Sequence, residues 1–252
     1  MSRLLPLAEG GYDFLEGVFP YSQGVIARAG FAIERAQFAR VLPLAEGFAA
    51  IAAHLKVLGR PKSALCAAEL RSPGPFSFKG FRDFNRGYVA VLTEWGLVRG
   101  GLNPVARSNV APAVSAPAEP CFEAFCYTVP AAGGAARDYV VAGSGEWPEG
   151  GRFPEDIVAR GDVSPEGLRR KVRFVLEKMQ ARLAGLGARW DEASATQVYT
   201  VHDFHALTAE IAGRAGAALD WRYCRPPIEG LEFEMDLRRV TTERRLEHGI
   251  PE

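Results

Sequence analysis

The sequence predicts an α+β protein made of two tandem units, each a mixed or antiparallel sheet with two helices on one face. Three observations carry this prediction. Helical and strand-like periodicities alternate along the chain, the element order of the first half recurs in the second, and a run of small residues separates the halves. The units are placed at residues 1–130 and 138–252, joined by a linker at 131–137 within "PAAGGAAR".

In the first half, Phe48, Ile51, Ala52, Leu55 and Leu58 recur at helical spacing from Glu46 to a stop at Gly59. A second helix is expected over 81–95, where Phe81, Phe84, Tyr88, Val91, Leu92 and Trp95 form one apolar stripe closed by Gly96. "ALCAAEL", "SNVAPAV" and "FEAFCYTV" read as strands around them. The second half starts again with the strand "DYVVAG" and a helix that has Ser164 as N-cap and Pro165 at its first position. Leu168, Val172, Val175, Leu176, Met179 and Leu183 lie along its buried face. "ASATQVYTV", a weaker helix over 204–214, "WRYC" and "LEFEMDLRRV" complete it. In the last of these, Glu232 and Glu234 alternate with Leu231, Phe233, Met235 and Leu237, the pattern of an edge strand with one solvated face.

Composition narrows the function classes. Hydrophobic residues make up 48 % of the 252, and 30 basic residues balance 30 acidic ones, so no nucleic-acid or other polyanionic partner is implied. "MSRLLPLAEGGYDF" is interrupted by Pro6 and Glu9 and is too short for a signal core or a membrane span, which predicts a cytoplasmic protein with no membrane partner. Cys66, Cys121, Cys126 and Cys224 show no CxxC spacing and read as reduced, buried thiols. "GSGEWPEGG" is interrupted by Pro148 and opens no helix at once, so it is a poor phosphate loop. "HDFH" at 202–205 has HxxH rather than HExxH spacing and few other histidines to help it, so no metal is expected.

Four short motifs remain. "FPYSQGV" at 19–25, "FRDFNRGY" at 81–88, "VARSNV" at 105–110 and "FEAF" at 122–125 stand in the order and spacing of the RidA (YjgF) family of small enamine and imine deaminases, which the first half resembles. "VVAGSGEWP" at 140–148, "TQVYTVHDF" at 196–204 and "GLEFEMDL" at 230–237 are similar to other stretches of the same family. The resemblance implies a tandem pair of chorismate-mutase-like units and hydrolysis of a small carboxylate-bearing enamine or imine without a cofactor. By the family's threefold packing it also implies a homotrimer of six units with sites between neighbours.

Carried over by motif, Arg107 would clamp the substrate carboxylate, because a guanidinium offers two parallel N–H donors to it. Glu123 would hold or activate water as general base. Tyr21, Asn85, Ser144 and Gly145 would orient the substrate, and Glu232 stands at the second copy's version of the Glu123 position. Arg35 replaces the family's serine, which suggests an acidic or longer substrate such as an aminomuconate-like dicarboxylate. Neither half is complete: the first keeps Tyr21, Asn85, Arg107 and Glu123, the second Ser144, Gly145 and Glu232. Composite sites follow as an expectation. "YCRPPIEGLEFE" also resembles the end of chorismatases, which leaves a hydrolase of a cyclic enolpyruvyl acid as an alternative and adds Cys224 to the substrate-binding candidates. A metabolite-binding protein without turnover is the remaining reading.

Overall fold

A computed structural model describes residues 2–132, 137–215 and 219–247; positions 133–136 of the expected linker lie outside the described residues. The chain opens with β1 (Leu4–Leu7), β2 (Tyr12–Leu15), β3 (Gly24–Ala27) and β4 (Phe31–Pro43). Then follow α1 (Leu44–Val57), β5 (Leu65–Arg71), α2 (Phe78–Glu94), β6 (Ala106–Pro112) and β7 (Cys121–Pro130). The second half contains β8 (Tyr139–Gly145), α3 (Pro165–Leu186), β9 (Ala195–Tyr199), α4 (Thr208–Ala215), β10 (Leu219–Arg222), β11 (Cys224–Arg225), β12 (Glu234–Arg239) and β13 (Thr242–Leu246).

The four helices form where periodicity placed them, and their ends have local causes. The Ser77 hydroxyl accepts from Gly80 N–H and starts α2 three residues before the expected boundary. Ser164 does the same for α3 through Gly167, Pro165 occupies the first turn, and Gly187 closes the helix at φ 66°. β1 to β4 were not among the expected elements. In β4 the charged Glu34 and Arg35 break the apolar alternation that marks a strand. Both are held by ion pairs, Glu34 with Arg244 and Arg35 with Glu69.

Two mixed sheets result, in the orders β1-β2-β3-β8-β12-β9-β10 and β11-β6-β5-β7-β4-β13. Their membership does not follow the halves of the sequence. β1 to β3 join the strands of the second half, with β3 paired to β8, while β11 and β13 cross back to pair with β6 and β4. Helices α1 and α2 cover the six-stranded sheet through Phe48, Ile51, Leu55, Tyr88 and Leu92. Helices α3 and α4 cover the other through Val172, Leu176, Met179 and Ile211.

The sheet faces turned away from the helices meet each other, and they are polar. Arg35 forks onto Glu69 at 2.6 and 2.8 Å, Arg238 reaches Glu243 at 2.8 Å, and Tyr199 Oη lies 2.9 Å from Asp236. Buried charges persist only when paired, and Arg35, helped by the nearby charges of Arg238 and Arg71, holds Glu69 down at about 2 despite its burial. This double burial corrects the edge-strand expectation. β12 is central, between β8 and β9, so Glu234 and Asp236 are buried along with Met235 and Leu237.

Candidate active site

A cavity of about 480 Å³ opens where the "PYS" turn, α2, β6, the end of β8 and the approach to β12 converge. The turn is stitched to β6 by several hydrogen bonds. Asn103 Nδ2 donates to the Pro20 carbonyl at 2.9 Å, Ser22 N–H to the Val105 carbonyl at 3.0 Å, and Ser22 Oγ to the Pro104 carbonyl at 3.1 Å. Tyr21 is thereby fixed against Arg107.

Arg107 is only 3 % exposed and sits inside an aromatic cage. Its guanidinium carbon lies 5.1 Å from the Tyr21 ring, 5.7 Å from Phe81, 5.6 Å from Phe84 and 5.0 Å from Tyr88. The three residues from α2 share one helical face by their 81, 84 and 88 spacing. Cation–π attraction holds the charge partway, yet Nη1 has no hydrogen-bond partner and burial draws the group's pKa below that of free arginine. Two further polar atoms are left unpartnered at the same wall, Oδ1 of Asn85 and Nδ2 of Asn109. Orphaned buried polar atoms gathered around one cavity mark a place for a polar ligand.

Glu234 lines the same cavity. Burial, and then the neighbouring charge of Asp236, push its carboxyl up to about 8, so at neutral pH it is mostly protonated. It stands opposite Gly145 in the β8–β12 pairing, and a Cβ at Gly143 would enter the space of its carboxylate. Glu149 closes that side through Gln23 Nε2 at 2.7 Å and Arg182, which also donates to the Ala142 carbonyl at 2.7 Å.

Of the residues the sequence singled out, Tyr21, Asn85, Arg107, Ser144 and Gly145 line this one cavity. The other four lie elsewhere. Glu123 is ion-paired with Arg71 and accepts from Gln37 on the far strands of the six-stranded sheet. Arg35 is consumed by Glu69 and Glu243. Glu232 faces His202 at 2.6 Å, and Cys224 packs with Val110 and Tyr199. The four cysteines are free and buried. Glu234 and Asn109 were missed as site residues. Acidic residues at both 234 and 236 on a strand apolar at 233, 235 and 237 were the available signal, once that strand is read as central.

The cavity draws Tyr21, Asn85 and Arg107 from the first half and Ser144, Gly145 and Glu234 from the second, all within one chain. A buried cation with an unpartnered nitrogen and a carboxyl shifted toward its protonated form line one cavity, the combination that marks a candidate site for an anionic ligand. Comparison with known proteins narrows the class. The chain belongs to the 2-aminomuconate deaminase CnbZ family, whose model matches residues 4–244, and it is therefore a deaminase. It is 48 % identical to a 2-amino-5-chloromuconate deaminase of Comamonas testosteroni over 249 residues, 96 % of this chain and 99 % of that protein. Among solved structures, a chorismatase aligns over 94 % of this chain and 78 % of its own at 14 % identity and a TM-score of 0.45. The YjgF gene product of E. coli aligns over 41 % and 80 % at 15 % identity and a TM-score of 0.30. Among the described residues, no helix is long and apolar enough to cross a membrane and no group of three or more metal-ligating side chains converges.

Proposed function

We propose that the chain hydrolyses the C–N bond of a 2-aminomuconate-type dienamine, releasing ammonia and a 2-oxo acid. The substrate class comes from the relative, and the observation that carries the reading is Arg107, a buried cation with an unpartnered Nη1 in the cavity that Glu234 shares. The carboxylate next to the reacting carbon pairs with Arg107, which removes the cost of an uncompensated buried charge only when substrate is bound.

The amino-diene first tautomerises to a 2-imine, its carbon chain taking up one proton while the amino nitrogen gives one up. Protonated Glu234 donates to the imine nitrogen, and its carboxylate then accepts a proton from the water that attacks carbon 2. The tetrahedral carbon carries –OH and –NH2. Transfer of the hydroxyl proton to nitrogen, through the same carboxyl, expels ammonia and leaves the carbonyl. One water is consumed and no electrons are exchanged. Tyr21, Asn85 and Ser144 supply polar contacts to nitrogen and oxygen, and the aromatic wall keeps the dielectric low so that each contact counts. Two tandem RidA-like units at 1–130 and 138–252, with exchanged edge strands, are the organisation we favour, supported by the repeated order of elements.

The test is ammonia release from 2-aminomuconate, followed together with loss of the dienamine absorbance. Arg107→Ala is expected to lower kcat/KM by about 10²-fold or more, the scale lost when a bidentate carboxylate clamp no longer positions substrate. Turnover that survives Arg107→Ala would overturn the assignment of the clamp.

A further inference from the structure

The cavity, at about 480 Å³, has more room than the carboxylate, nitrogen and water of one reacting centre require, and its charges do not balance. Among the ionisable side chains lining it, Glu149 is tied to Arg182 and Gln23, Arg86 is paired with Asp83, and Glu234 is mostly uncharged at neutral pH. Two cations are left without a carboxylate partner among the described residues: Arg107 at the buried end and Arg82 at the exposed mouth. Arg82 stands one helical turn before Asn85 and Arg86 on the face of α2 that lines the cavity. Asp83, its acidic neighbour, is already shared by Lys79 and Arg86.

The geometry points to Arg82 as the residue that recognises the second, distal carboxylate of a dicarboxylic substrate, with Arg86 beside it. This rests on the reading of the cavity as the substrate site. A dianion stretched from Arg107 toward the mouth neutralises both cations, whereas a monoanion satisfies only the buried one. Arg82 therefore separates six-carbon dicarboxylates from short imino acids, and it does so by binding, since it is remote from the carbon that reacts.

Binding of two unreactive ligands tests this without relying on turnover. Muconate carries both carboxylates, and sorbate has the same diene with one. By calorimetry, Arg82→Ala is expected to weaken muconate about tenfold, the scale of a charge-assisted contact at a partly hydrated site, and to leave sorbate unchanged. Arg107→Ala weakens both. Equal loss for the two ligands in Arg82→Ala, or no loss for muconate, overturns the assignment. If wild type binds muconate through Arg82 yet releases no ammonia from 2-aminomuconate, the deaminase chemistry fails while the distal subsite stands. On 2-aminomuconate, Arg82→Ala raises KM with kcat nearly intact, whereas a structural defect would lower kcat as well.

Discussion

At the scale of single residues, function and stability are opposed in Arg107. A buried guanidinium without a counter-ion costs folding energy that substrate later offsets, so removing the charge should stabilise the empty protein. Arg107→Met is expected to abolish ammonia release and to raise unfolding free energy by about 1–4 kcal/mol, read from urea midpoints; a lower midpoint would mean the aromatic cage alone compensates the cation. Glu234 gives a pH signature of opposite origin. Its folded pKa, about 8, lies above the carboxylate value of 4.5, so the native state keeps a proton that the unfolded chain releases. That stabilisation is present below about pH 4.5 and is lost as pH rises through about 8. Glu234→Gln should flatten this part of the stability profile and lower kcat about 10²- to 10⁴-fold, the usual worth of a general acid–base group. Unchanged activity would remove Glu234 from the chemistry. The arginine was legible in the sequence because "VARSNV" is a motif whose spacing survives, whereas Glu234 looked solvated, since alternation cannot distinguish water from a second buried sheet on a strand's other face.

At the scale of elements, β8 and β12 set the position of that carboxyl. Gly143 leaves room for it, so Gly143→Ala should push a flexible side-chain end aside rather than unfold the strand. A displacement of this kind is expected to cost about 10²-fold in kcat with circular dichroism unchanged. A second support lies behind β12. Glu146, wholly buried, receives Lys171 Nζ at 3.1 Å, Glu232 N–H at 2.7 Å and Phe233 N–H at 3.2 Å, tying α3 to the residues that enter β12. Lys171→Met leaves that carboxylate without its cation and should destabilise the fold by about 3–5 kcal/mol in urea unfolding; a loss within experimental error would show that the backbone donors suffice. Helices were legible because caps and apolar stripes are local. Strands β1 to β4 were not: β1 and β2 pair with their chain neighbours but are only four residues each, too short to show a period, while β3 also pairs with β8 and β4 runs between β7 and β13, partners from distant sequence.

At the scale of the molecule, each sheet is built from strands of both halves of the sequence, and so is the lining of the cavity. With β3 in the sheet of β8 and β12, the "PYS" turn brings Tyr21 to Arg107 on one side and to Gly143, Ser144 and Glu234 on the other. Residues of both halves line one cavity of a single chain, whereas the trimer that the resemblance implies would place partners across subunits. Mixing two inactive variants separates these cases. Arg107→Ala and Glu234→Gln chains, unfolded together in urea and refolded as a mixture, are expected to stay as inactive as either alone, because no chain then holds both the clamp and the acid. Recovered ammonia release would show that Arg107 of one chain works with Glu234 of another, and the site would have to be rebuilt at a subunit interface. Wild-type specific activity measured over a wide dilution range gives the same distinction independently: a site complete in one chain loses nothing when any oligomer dissociates, whereas a shared site loses activity in step with dissociation.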